Sequence, residues 1–200
     1  MSAAAPATHP ATPSRDETWE LLNTYTKSAN LVRHALAVEA VMRHLAKKWG
    51  EDEHAWAMVG LIHDVDYEQH PEEHLQHTRP ILEGAGWPEE LIRAVLAHGW
   101  GLCTDVEPKT KMEMALYAID ELTGLVAASA LVRPAKSVMD LPVKSVRKKW
   151  KDKAFASGVD RSVIQKGADM LEVELAELIG DTIEGMRTVA SEIGLEGVPQ

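Results

Sequence analysis

The chain has one cysteine, Cys103, and one phenylalanine among 200 residues. A single cysteine excludes a disulfide framework and a Cys-based zinc site within one chain. It makes a reducing cytoplasm the expected compartment. Aromatic residues reach only 5% and β-branched runs are short, which is poor material for a sheet. No basic start leads into an apolar core at the N-terminus, so no signal peptide is expected. Excess positive charge is also missing. The formal net charge is -10, which argues against binding long nucleic acid or an anionic membrane. The most apolar stretch, Ala115 to Val132, carries Asp120 and Glu121 at its centre. It is only about membrane length and reads as a buried helix.

What is present points to helices. The length suits one domain with a full core, and 45% apolar with 26% charged residues is an ordinary globular balance. Ala, Leu, Glu, Lys and Met are plentiful, as in helical proteins. Twelve of the first fifteen residues are Ala, Pro, Ser or Thr, so residues 1–15 are expected to be a disordered tail, and His9 within it has no assigned role. The remainder, 16–195, is expected to be one all-α domain with its core in 29–130 and further helices over 133–193. Three-four periodicity predicts helices over 16–27, 29–49, 53–66, 73–85, 88–98, 110–131, 142–156, 160–171 and 173–192. Gly50, Gly86-Trp87-Pro88, Arg133-Pro134 and Gly158-Val159-Asp160 supply stop and start signals. No strand pair or repeat is expected.

Three polar interruptions of apolar faces carry the chemistry. His34 shares a helix face with Leu31, Ala35, Val38, Val41 and Leu45. Taken alone, it reads as a core histidine with one hydrogen bond. His63 lies on the stripe of Trp56, Val59 and Gly60, and Asp64 follows it. A buried carboxylate costs several kcal/mol or more unless it is paired or metal-bound. Asp120 interrupts the run from Met114 to Ala127 with no Lys or Arg within a turn of it on the helix. Each has a bland alternative, a tertiary hydrogen bond or a helix-terminal turn. Together they form the order H…HD…D on three helices. Imidazole and carboxylate are the donors that borderline divalent metals prefer.

At these residues the chain resembles the HD superfamily, whose named motif is the pair His63-Asp64 within Gly60-Leu61-Ile62-His63-Asp64-Val65-Asp66-Tyr67. The resemblance covers roughly residues 29–130. It extends to a bacterial subgroup through Asp120-Glu121-Leu122-Thr123-Gly124-Leu125, Val143-Lys144-Ser145-Val146 and Lys151-Asp152-Lys153. It implies a single-domain HD-type helical bundle and metal ligands His34, His63, Asp64 and Asp120. Many relatives read His-Asp-Ile-Gly-Lys. Here Val65, Asp66 and Tyr67 follow the pair, so the lysine is absent and Asp66 is an extra carboxylate. Dinuclear relatives use six ligands, and this chain can be written that way with His74 and His98 added and Asp64 bridging. In mononuclear relatives such histidines bind substrate phosphate. His98 also reads as a helix C-terminal histidine. His70 and His77 read as supporting or solvated residues, and His44 and His54 as surface ones.

Residues 133–153 hold eight basic residues against two acids, a net +6 in an acidic chain. A charge run is usually a solvated face. Arg133, Lys144 and Lys148 follow the Asp120 helix and are the candidates for holding an anionic substrate.

The resulting expectation is a metal-dependent hydrolase of phosphomonoesters or phosphodiesters, acting on nucleotides or small phosphorylated metabolites. It would carry one or two divalent ions per chain, Mn, Fe, Ni, Co or Zn, or else Mg. A metal-bound hydroxide would attack phosphorus. Asp64 would take the water proton, and Asp66 or Glu68 would protonate the leaving group. The expected partner is a small phosphate-containing anion, with no long nucleic acid and no membrane. The oligomeric state is open. Two other classes remain, an HD-type di-iron oxygenase and a metal-stabilised binding module without turnover.

Overall fold

In a computed structural model of the chain, residues 11–197 are described here, and residues 1–10 and 198–200 lie outside the described residues. Ten of the fifteen residues expected to form the tail are therefore outside it. Ser14 already caps the first helix. Its hydroxyl accepts from the Glu17 N–H at 3.3 Å while Glu17 Oε2 accepts from the Ser14 N–H at 2.8 Å, a reciprocal cap that satisfies two amides.

The elements run α1 (Arg15–Tyr25), α2 (Ala29–Trp49), α3 (Glu53–Ile62), a 3₁₀ turn (Pro71–Glu73), α4 (Thr78–Gly84), α5 (Glu89–Ala97), α6 (Lys111–Leu131), α7 (Val143–Trp150), α8 (Arg161–Met170) and α9 (Leu175–Arg187). No strand occurs among the described residues. A lone bridge joins Trp100 and Thr104. The fold is the all-α bundle expected from composition and periodicity.

Helix α2 runs through the centre, packing on α3, α6 and α9, while α6 also receives α5 and α8. Val38, Val41, Met42 and Leu45 of α2 are fully buried. So are Leu116, Ile119, Leu122 and Leu125 of α6. Helix α6 is long and apolar enough to cross a membrane by composition, but most of that stretch is buried in the bundle. Glu39 on α2 is buried yet compensated, because Arg15 donates to both its oxygens at 2.8 and 3.0 Å and Arg43 donates at 3.2 Å. Gly60 lets α3 lie against α2. A Cβ there would sit 2.9 Å from the Val38 carbonyl oxygen.

Several helices are shorter than the periodicity predicts. The third stops at Ile62, and residues 63–69 form turns. This frees His63 and Asp64 from the helical ladder and turns both inward. The helix expected over 73–85 begins only at Thr78, because Leu75 adopts a left-handed backbone, φ 67°, that no helix can contain. Helix α7 ends at Trp150 rather than 156. There Asp152 accepts from the N–H groups of Ala154 and Phe155, a local competitor of the helix. The Arg161 guanidinium then binds the carbonyls of Trp150, Asp152, Phe155 and Val159. That one side chain fastens the loop 150–159 to the start of α8, beside the site described next.

Candidate metal centre

His34 from α2, His63 and Asp64 from the end of α3, His74 from the turn before α4, His98 from the end of α5 and Asp120 from α6 converge on one point. They form two groups, each compact enough to hold a metal ion. One is His34, His63 and Asp120. The other is Asp64, His74 and His98. Within the first, His34 Nε2 lies 2.8 Å from Asp120 Oδ1 and 3.2 Å from His63 Nε2. Within the second, His74 Nε2 lies 3.3 Å from both His98 Nε2 and Asp64 Oδ1. Asp64 faces both groups. Its Oδ2 is 3.3 Å from His63 Nε2, and its Oδ1 is 3.6 Å from His98 Nε2.

The opposite edge of three of these rings has a defined acceptor. His63 Nδ1–H donates to the Gly60 carbonyl at 2.8 Å, and His98 Nδ1–H donates to the Val95 carbonyl at 2.6 Å. His74 Nδ1–H donates to Asp66 Oδ1 at 2.9 Å. A carbonyl or carboxylate accepts here, so Nδ1 carries a proton and the inward Nε2 is the nitrogen left to take a metal ion or a second proton. The inward Nε2 atoms of His74 and His98, 3.3 Å apart, repel unless a proton or a metal cation lies between them. The donor set, four imidazoles and two carboxylates, suits a borderline divalent metal, and outward hydrogen bonds of this kind orient metal ligands.

The electrostatics agree. Burial alone would push the His63 imidazole down, but Asp64 and Asp120 outweigh it and hold it well above the ordinary histidine value. His74 behaves alike. Burial opposes its charge, yet Asp64 and Asp66 raise it to about 9. Burial works against ionisation of Asp64 and Asp120, and the facing histidines overcome it and hold both well below the usual carboxylate range. The centre is thus built for positive charge, carried either by protons or by metal.

The centre opens into a cavity of about 290 Å³ lined by Tyr67, Gly99, Leu102, Cys103, Glu121 and Val163 besides His34, His74, His98, Asp64 and Asp120. Beyond His34 and Gly124 lies a second, mainly apolar cavity of about 360 Å³, with Ala127, Leu131 and Ile193 in its wall.

Other residues singled out from sequence lie elsewhere. Asp66 is completely buried behind His74, with Oδ2 accepting from the His77 N–H at 3.1 Å. It cannot reach a leaving group, and its place corrects the expectation that it donates a proton. Glu68 accepts from the N–H groups of Lys27 and Ser28 at 2.8 and 2.9 Å. It ties the α1–α2 junction and is also not at the cavity. The basic strip is a solvated face. Lys144 and Lys148 are exposed on α7, Arg133 is paired with Asp140, and none of the three lines the cavity. Periodicity finds a helix such as α7 but not the direction in which the bundle turns its polar face.

Glu121 is the group that sequence reasoning passed over. It lines the cavity, and burial together with neighbouring Asp120 raises its carboxyl to about 7. Its Oε2 accepts from the Asp160 N–H at 3.1 Å, joining α6 to the start of α8. The available signal was a second acid beside Asp120 in the same apolar run.

An all-helical bundle that gathers four histidines and Asp120 around the Asp64 carboxylate defines a class, helical bundles with donors that could hold a metal. Residues 31–125 match the model of the HD domain family, a match over that segment that supports the resemblance to the HD superfamily. That superfamily consists mostly of metal-dependent hydrolases, and its domains bind divalent metals. Comparisons with curated proteins and with solved structures gave no significant match.

Proposed function

We propose that the chain is a metal-dependent phosphohydrolase acting on small phosphomonoesters or phosphodiesters. The observation that carries this reading is the position of Asp64, one oxygen toward His34 and His63 and the other toward His74 and His98. In this reading His34, His63 and Asp120 hold one divalent ion, His74 and His98 hold a second, and Asp64 is shared. Bound there, such ions would offset phosphoryl charge and lower the pKa of a water. Asp66 is a positioning residue that keeps the His74 Nε2 directed inward. Glu121, with its carboxyl near neutrality, is the group suited to protonate a leaving oxygen at the cavity wall. The apolar cavity beyond His34 would take the organic part of the ester. Supplying the protein as isolated with a panel of nucleotide, sugar and aryl phosphates tests the reading. The expected result is phosphate or alcohol release that a chelator abolishes and Asp64→Ala removes. Chelator-insensitive turnover would overturn it.

A second reading is favoured by one specific observation. The cavity lining contains no lysine or arginine, so a substrate anion finds no side-chain cation there apart from histidine. A six-ligand centre with a bridging carboxylate also suits a di-iron oxygenase. Substrate-dependent oxygen uptake by the iron-loaded protein would support that reading, and phosphate-ester turnover without oxygen would exclude it.

A further inference from the structure

Outside this cavity the turn that leads into α4 gathers three more donors. His70 precedes the 3₁₀ turn, Glu73 ends it, and His77 precedes α4. The rings of His70 and His77 stack with centroids 3.8 Å apart and 20° between planes. His77 Nε2 lies 2.8 Å from Glu73 Oε2. One ligand atom from each residue lies within 4.8 Å of the other two. None of the three lines the HD cavity.

The chain spends conformational energy to build this arrangement. Leu75 is left-handed, φ 67°, a conformation that is costly for a branched residue and persists only where the surroundings hold it. Its side chain is 3% exposed and packs against Gly99, where a Cβ would collide with it. That anchored reversal brings His77 back over His70. The Glu73 N–H donates to the His70 carbonyl, and the Gln76 N–H to the Glu73 carbonyl, at 3.0 Å each, so the backbone carrying all three donors is closed by its own hydrogen bonds.

We propose that His70, Glu73 and His77 form a peripheral site for a borderline divalent ion of the zinc class, separate from the HD centre. Two imidazoles and one carboxylate are a common zinc donor set, with water completing a tetrahedron. Donors on a tetrahedral zinc lie roughly 3.3 Å apart, given bond lengths near 2.0 Å. Closing from the observed spacing needs only side-chain movement in residues that are half-exposed or exposed. Exposed Glu72 and the net charge of -10 favour cations here. The site also touches the interior. The His77 N–H donates to Asp66, whose other oxygen holds His74. An ion on the outside and the Asp66–His74 pair on the inside would therefore fasten the same turn.

The test is zinc titration of the protein as isolated, its HD-centre metal content first fixed by elemental analysis, against a chromophoric chelator. Wild type should take up one zinc equivalent beyond that content. The double variant His70→Gln, His77→Gln should not, with its initial metal content and melting temperature unchanged. Glu73→Gln keeps the shape of the turn and should weaken the extra equivalent at least about tenfold. Zinc absorption spectra at that loading should report two imidazoles. No extra equivalent in wild type, an undiminished one in the double variant, or an all-oxygen zinc environment would each overturn the proposal. Since binding and not turnover is read, its failure is distinct from failure of the phosphohydrolase reading.

Discussion

The Nδ1 of His74 lies 2.9 Å from Oδ1 of Asp66, a carboxylate with no exposure to solvent. The pair fixes which edge of the imidazole faces the centre. Asp66→Asn leaves the volume and removes the charge. Outward partners of ligating histidines are worth about 10–100-fold in metal affinity. The variant should therefore weaken the metal held by Asp64, His74 and His98 by that factor while the His34, His63 and Asp120 group keeps its ion. Elemental analysis after graded chelation checks this. Equal loss from both groups would mean a general loss of structure.

Metal counts distinguish one ion from two. His74→Ala or His98→Ala should lower the content by about one ion per chain, and Asp64→Ala should empty both groups, since metal binding here is coupled to the folded donor set. Unchanged content in the His74 and His98 variants, with slower turnover, would make the centre mononuclear and the two histidines substrate ligands.

Glu121 sets a pH limb. A carboxyl that titrates near pH 7 and acts as a proton donor must be protonated to work, so kcat should fall as pH rises through about 7. Glu121→Gln should lower kcat by roughly 10²–10⁴ and erase that limb. A variant with the wild-type profile would remove Glu121 from the chemistry.

The basic strip should be silent. Lys144→Ala and Lys148→Ala change exposed residues on α7, away from the cavity, and kcat/KM should stay within about twofold. Arg133→Ala removes a partly exposed pair with Asp140, and such pairs are worth about 0–1 kcal/mol of stability. A tenfold drop in kcat/KM from any of the three would show that the strip reaches substrate.

Stripped of metal, the protein should lose stability toward alkaline pH. Burial opposes the charge on His74, but Asp64 and Asp66 raise its pKa to about 9, above the unfolded histidine value near 6.5. A raised folded pKa gives stability that is fully present below about pH 6.5 and is lost as pH climbs through 9. The melting temperature of the chelated protein should therefore fall by several degrees between pH 6.5 and 9. Asp66→Asn should flatten the decline. A melting temperature that rises over this range would contradict the charge assignment.

The helices, the burial of α6, and the chemical oddity of His34, His63, Asp64 and Asp120 were legible in the sequence. Burial follows the three-four pattern, and a polar side chain on an apolar stripe stands out from its neighbours. The ends of α3, α4 and α7 were not legible, because the competing terms are tertiary. Leu75 adopts its left-handed conformation where it packs on Gly99, and Arg161 gathers carbonyls from a loop up to twelve residues away. The same limit applies to Asp66, Glu68, Glu121 and the basic strip. Composition and spacing determined that this chain is a helical bundle with histidines and aspartates set into its apolar faces. Only the tertiary structure decided which carboxylate lies behind a histidine, which lines the cavity, and which cations face solvent. Direction in space depends on how helices pack against one another, and residue order along one helix does not contain it.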